Sequence, residues 1–225
     1  MITLHVLAQS RALRIVWLLE LIGAPYQIKT YARHPETLLA PDELKAVHPL
    51  GKSPVIDDDG FVLNESGAIT DYLIQTYGGG RFMPERGSQD YWHYQRWLHY
   101  AEGSLMPLLL MKLVFASLGK PPVPFGIRSL GALLGKGIQK AWLDPQLATH
   151  ARFIDDHLAT RPWFAGERLS MADIQMSFPV MALLARGGVH DLVHIEAWRQ
   201  RVEQRPAWQR AIERGGPFTL SLIHI

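Results

Sequence analysis

Three short stretches of the chain carry residue types that can hold a peptide-like ligand and act on a sulfur. They are Ser10-Arg11 near the N-terminus, Lys52-Ser53-Pro54 inside the run His48 to Ile56, and Asn64-Glu65-Ser66-Gly67-Ala68-Ile69. Pro54 precedes the β-branched pair Val55-Ile56. A proline there removes one ladder donor, so it belongs at a strand's first residue or on an edge. If the Ser53–Pro54 bond is cis, the chain turns sharply and Ser53 holds its backbone N–H and C=O outward, where an extended peptide can add as a short strand. An ordinary strand-entry proline accounts for the same residues.

Glu65 and Ser66 follow the strand-like Phe61-Val62-Leu63 and open the pattern Ala68, Ile69, Tyr72, Leu73, Ile74, which places them at a helix start. A helix start offers free N–H groups and a partial positive charge, which suit a carboxylate. The Glu65 carboxylate beside it can accept from an ammonium, so the two residues together could grip both ends of an amino acid. Plain capping is the other reading, with Asn64 or Ser66 as N-cap and Glu65 as a first-turn acid. Ser10 sits between a strand at 2–7 and the apolar helical run Leu13, Val16, Trp17, Leu19, Leu21, Ile22, which Gly23 ends. Its hydroxyl can cap that helix or donate to a bound sulfur. A free thiol has a pKa of ~8.5, and a hydrogen bond to its charged form lowers that value.

The elements that must position these residues alternate over the first 77 positions. Strands are expected at 2–7, 26–31, 53–57 and 61–64, and helices at 10–22, 37–47 and 65–77. A helix between two strands implies a parallel pair, and Asp59-Gly60 implies a hairpin. A mixed sheet with helices on its faces, a thioredoxin-like arrangement, satisfies both. Gly78-Gly79-Gly80 and the stretch to Asp90 read as a linker, after which strand signals vanish. A long helix is expected over 88–117, kinked at Pro107, then one or two helices over 126–160 and short ones at 195–204 and 207–214. Ser170 and Asp173 form a capping-box pattern ahead of an all-round apolar helix that must be central.

Taken together, Ser10-Arg11, Lys52-Ser53-Pro54, Glu65-Ser66 and the Leu169 to Ile174 motif resemble the cytosolic glutathione S-transferases, of the bacterial and fungal kind whose N-terminal helix opens with Ser-Arg. The similarity runs to about Gly216. It implies an α/β thioredoxin-like domain over 1–80, a linker at 81–87 and an all-α helical bundle over 88–225. By that resemblance Lys52 and Ser53 hold the cysteinyl backbone of glutathione before a cis-proline at Pro54, and Glu65 and Ser66 bind its γ-glutamyl end. Ser10 is then the residue that stabilises the thiolate, and Arg11 either helps neutralise it or is solvated. The resemblance also implies a homodimer. The implied reaction joins glutathione, as co-substrate, to a small hydrophobic electrophile in an interdomain cleft, a detoxifying conjugation. Trp97, Tyr100, Met106 and Leu110 are the candidates to line its apolar pocket. Other outcomes on the same scaffold are a non-enzymatic binding module and a glutathione-dependent peroxidase or disulfide reductase. Isomerase relatives show a double serine in the first loop, which Gln9-Ser10-Arg11 does not match. The tail Ser221 to Ile225 departs from the family and reads as disordered or appended.

Composition narrows the rest. With 48% hydrophobic residues the chain can build a proper core. A net charge of +2 gives no argument for nucleic acid or an anionic membrane as partner. Cysteine is absent, which excludes disulfides, Cys–zinc sites and a protein thiol nucleophile. A thiol acting here must arrive with the ligand. Neither His190 with His194 nor Asp57-Asp58-Asp59-Gly60 matches a metal-site pattern, so no metal is expected. Arg11, Arg14 and Glu20 interrupt the apolar start, which argues against a secretory signal and for the cytoplasm.

Overall fold

The computed structural model describes residues 1–8 and 10–216, so the tail from Ser221 to Ile225 lies outside the described residues. The first third runs β1 (Ile2–Leu7), α1 (Leu13–Ile22), β2 (Tyr26–Tyr31), α2 (Asp42–Val47), β3 (Val55–Asp58), β4 (Phe61–Asn64) and α3 (Ser66–Tyr77). The sheet order is β2-β1-β3-β4. β1 pairs in parallel with β2 across the α1 crossover, and antiparallel with β3. The β3–β4 hairpin turns on Asp59 and Gly60, both at positive φ, and the Asp57 carboxylate accepts the Gly60 N–H at 2.8 Å. This is the mixed, thioredoxin-like sheet that the alternation implied.

α1 begins at Leu13 instead of residue 10, after a turn over 10–12, and two further boundaries differ because of a proline. β3 begins at Val55 instead of residue 53, because Pro54 has no N–H for the ladder. α2 begins at Asp42 instead of residue 37, with Pro41 as its extended N-cap.

The remainder is helical: α4 (Gln89–Tyr100), α5 (Met106–Ser117), α6 (Arg128–Ile138), α7 (Asp144–Ala159), α8 (Met171–Arg186), α9 (Val193–Glu203) and α10 (Pro206–Gly215). The long helix expected over 88–117 is divided by a π turn at Ala101–Leu105, placed just ahead of Pro107. A second π turn, Gln139–Leu143, stands just ahead of Pro145. A proline inside a helix removes one bond and collides with the carbonyl four residues back. Widening the preceding turn relieves that collision without ending the helix.

α8 is the centre of the bundle, with its first thirteen residues buried. Its capping box forms as expected: Ala172 N–H donates to Ser170 Oγ, and Ser170 N–H donates to the Asp173 carboxylate at 2.9 Å. Asp173 also accepts from Phe164 N–H at 2.9 Å and Trp198 Nε1–H at 3.0 Å. Burial pushes this carboxyl up, against the pull of those bonds. One apolar core runs through both halves. α10 closes back on α1, where Trp208 meets Trp17 edge-on at 5.1 Å and Arg210 and Arg214 hold Glu20 at 2.7 and 2.8 Å.

Candidate functional site

The C-terminal end of β1, the entry to β3 and the start of α3 converge on a cavity of about 490 Å³, whose opposite wall is α5 and α8. That volume is in the ~300–1,000 Å³ range of small-molecule sites. Ser10, Arg11, Lys52, Ser53, Pro54, Glu65 and Ser66, the residues singled out from sequence, all line it. So do Met106 and Leu110 on α5.

Ser10 and Ser53 are linked. Their hydroxyl oxygens lie 3.1 Å apart. Ser53 Oγ donates to the His5 carbonyl at 3.0 Å and accepts the Leu7 N–H at 3.0 Å. A hydroxyl has one proton to give, so Ser10 is the donor in the Ser10–Ser53 bond. The Ser10 oxygen in turn accepts the Ala12 N–H at 3.3 Å. The Ser53 side chain therefore ties the β3 entry to β1, and its peptide bond to Pro54 is cis. Only its backbone is left for a ligand.

Glu65 is the N-cap residue of α3, at φ 69° and ψ 117°, a backbone region that costs a non-glycine residue of order 1–3 kcal/mol. No side chain caps this helix, so the capping reading of Asn64 and Ser66 does not hold. The first turn of α3 carries N–H groups without a side-chain cap, and Glu65 and Ser66 at this helix start line the cavity.

Arg11 is 35% exposed but is not left to water alone. It pairs with Glu102 at 2.6 Å, and its guanidinium lies 5.5 Å from the Phe178 ring. The other Glu102 oxygen accepts from the buried Arg14 at 2.8 Å and from Gln175 Nε2 at 3.2 Å. Arg14 also donates to the Gln175 carbonyl at 3.0 Å. Burial pushes the Arg14 guanidinium down, and Glu102 opposes that.

Two expected pocket residues do not reach the cavity. Trp97 is fully buried, with Nε1 3.0 Å from His157 Nε2, and Tyr100 is bonded to His150. Both face the α7 side because α4 precedes the π turn; only beyond that turn does the helix present Met106, Leu109, Leu110 and Leu113 to the cavity. Sequence reading missed Arg33 and Lys45 on the sheet side, and Phe178, Ala182 and Arg186 on α8. The last three are spaced by four and so share a face, but α8 is apolar nearly all round, and nothing in its pattern marks which face meets a cavity.

Models of two glutathione S-transferase domains match the chain, the N-terminal one over residues 10–76 and the C-terminal one over residues 108–206. The chain is 36% identical to glutathione S-transferase 3 of Schizosaccharomyces pombe, over 99% of this chain and 91% of that protein. It is 28% identical to glutathione S-transferase 1 of Saccharomyces cerevisiae, over 95% of this chain and 94% of that protein. Among solved structures, a glutathione S-transferase from Actinobacillus pleuropneumoniae superposes with a TM-score of 0.81 at 32% identity, over 99% of both chains.

Proposed function

The chain belongs to the glutathione S-transferase family, and on that footing we propose that it is a glutathione transferase which ionises the glutathione thiol beside Ser10 and delivers it to a small hydrophobic electrophile held against α5 and α8. The observation that carries this reading is the single cavity with two unlike walls. One wall presents Ser10, the Ser53 backbone, Glu65 and the open start of α3; the other presents Met106, Leu109, Leu110, Leu113 and Phe178.

Each group has a task that its chemistry suits. The Glu65 carboxylate accepts from the γ-glutamyl ammonium, and the first turn of α3 with the Ser66 hydroxyl receives the γ-glutamyl carboxylate. The Ser53 backbone meets the cysteinyl residue as an added strand. The Ser10 hydroxyl turns its proton from Ser53 Oγ to the sulfur and favours the thiolate. The thiolate then attacks: a C–S bond forms and the leaving group departs with its electron pair. Catalysis consists of thiolate stabilisation and proximity.

Retention on immobilised glutathione, followed by turnover assays with a panel of electrophiles and a peroxide, tests the reading. Conjugation is expected. Turnover of the peroxide alone overturns it.

We also propose a homodimer. Phe125, Ile127, Leu130, Leu133 and Leu134 are all exposed within ten positions of the chain, Phe125 to 85%, and clustered exposed apolar side chains mark surfaces that a partner covers. Sedimentation equilibrium at micromolar concentration is expected to give twice the chain mass, and a monomer refutes the proposal.

A further inference from the structure

We infer that the outer face of α6 docks on an anionic lipid bilayer, with its leucines at the acyl boundary and its lysines against the phosphates. The inference stands apart from the transferase reading. α6 is built inside out. Gly135 is its buried residue, and a Cβ there would come 2.2 Å from the Phe115 carbonyl oxygen. A Cβ at Gly131 would come 2.3 Å from the Leu118 carbonyl oxygen. These two glycines let α6 lie directly on the backbone at the end of α5. Its large apolar side chains point the other way: Leu130, Leu133 and Leu134 are each more than half exposed. A helix of a globular protein normally turns such residues to the core. Phe125 and Ile127 before the helix and Trp142 on the π turn after it are exposed too.

Charge says what covers this face. Residues 103–143 contain Lys112, Lys120, Arg128, Lys136 and Lys140 and no Asp or Glu, an imbalance that the net charge of +2 over the whole chain conceals. Asp144 takes Lys112 at 2.9 Å. Among the described residues no carboxylate pairs with the other four. Arg128 donates to the Val123 carbonyl at 2.7 Å and lies 5.7 Å from the Phe125 ring. Lys136 is three residues beyond Leu133 and four before Lys140, so the exposed lysines flank the leucine stripe. A bilayer interface answers both parts of this pattern. Leucine, phenylalanine and tryptophan enter the boundary between headgroups and acyl chains, and lysine stems reach back to the phosphates. A second copy seated here covers the leucines but leaves the cations without acids, so lipid competes with it for the face. No helix among the described residues is long and apolar enough to cross a membrane, and the contact is with the surface.

Co-sedimentation of the full chain with vesicles tests the inference. One set is phosphatidylcholine alone, and the other has about one part phosphatidylserine to three of phosphatidylcholine. Binding to the second set is expected to be at least tenfold tighter and to weaken as salt is added. A variant with Lys136→Gln and Lys140→Gln should bind the second set roughly tenfold or more weakly, each cation near an anionic surface contributing about fivefold. A variant with Leu133→Ser and Leu134→Ser should lose at least tenfold. All four side chains are exposed, so melting curves should stay near the wild type. If the leucine variant does not fold, the lysine variant decides alone. Absent binding, equal binding to both sets, or full binding by either folded variant overturns the inference. Sedimentation equilibrium without vesicles identifies the competing occupant. A leucine variant that falls from dimer to monomer, in a protein whose wild type ignores both sets, assigns the face to a second copy and overturns the inference as well.

Discussion

Arg14 and Glu102 meet at 2.8 Å between the first helix and the helical half of the protein, and Arg11 takes the other oxygen of the same carboxylate at 2.6 Å. Arg14 lies one helical turn beyond Ser10 and is only 2% exposed. Glu102 sits on the π turn ahead of Pro107, and the extra residue of such a turn changes which way the following side chains face. The wide turn thus serves two ends. It aims Glu102 at the arginines of α1, and it swings α5 so that its leucines, and not the aromatic residues of α4, line the cavity.

The first prediction tests that clamp. Glu102→Gln keeps the shape and removes the charge, leaving Arg14 buried without its counter-ion. Breaking a buried pair by deleting one partner typically costs 3–5 kcal/mol. Glu102 is 36% exposed, so water recovers part of this, and a loss of about 1–3 kcal/mol is expected. Urea unfolding followed by tryptophan fluorescence measures it. An unchanged midpoint would mean that water or Gln175 replaces the carboxylate.

Glutathione affinity should depend on Glu65. The Glu65 side chain makes no capping bond to α3, so its removal is expected to spare the fold. Glu65→Ala should weaken glutathione binding by roughly ten- to a hundredfold, the value of one charge-assisted bond of about 1.5–3 kcal/mol. Calorimetry with a melting curve reads both properties. Full affinity with a lowered melting temperature would give Glu65 a purely structural role.

The sequence showed the sheet half of this site because each of its residues stands at a punctuated boundary. Ser10 lies in the turn after a strand, Pro54 precedes one, and Glu65 begins a helix after a hairpin. Backbone direction at such points follows from local chemistry, so Ser10, Ser53 and Glu65 could be singled out with no knowledge of packing. The apolar wall left no such mark. Trp97 and Met106 carry the same hydrophobic signal, and the π turn between them decides which one meets the cavity. Helical periodicity assumes 3.6 residues per turn and loses phase at that point. Arg11 misled for a different reason, because its partner Glu102 is 91 positions away and no local pattern joins them.

Acid should destabilise the fold through His157. Burial pushes its imidazole down to about 4 from 6.5. The folded protein then keeps this ring neutral where the unfolded chain protonates it, so stability is complete above pH 6.5 and falls as the pH drops toward 4. Linkage gives a loss of about 2 kcal/mol at pH 5 from this group. Asp173, whose carboxyl is pushed up by burial, works in the opposite direction at the acid end. Urea midpoints at pH 7 and pH 5, in the wild type and in His157→Gln, isolate the histidine. The variant's pH dependence should be shallower, and identical slopes would remove His157 from the account.

Ser10 should govern ionisation of the bound thiol and not the binding of glutathione. Its proton goes to Ser53 in the structure, and a bound thiolate offers that proton a charged acceptor nearby. The neutral thiol offers little, so Ser10→Ala should leave glutathione affinity within a few-fold. The apparent pKa of the bound thiol should rise toward its free value of ~8.5, and turnover at neutral pH should fall roughly tenfold or more. Because the loss is one of thiolate population, the variant should recover rate as the pH is raised toward 9, whereas the wild type levels off earlier. Thiolate absorbance of the complex against pH gives the titration directly. If the two curves overlay, the Ser10 hydroxyl only receives the Ala12 N–H. The sulfur must then be held by Arg11, whose guanidinium gives one nitrogen to Glu102, or by the backbone N–H groups at the start of α1.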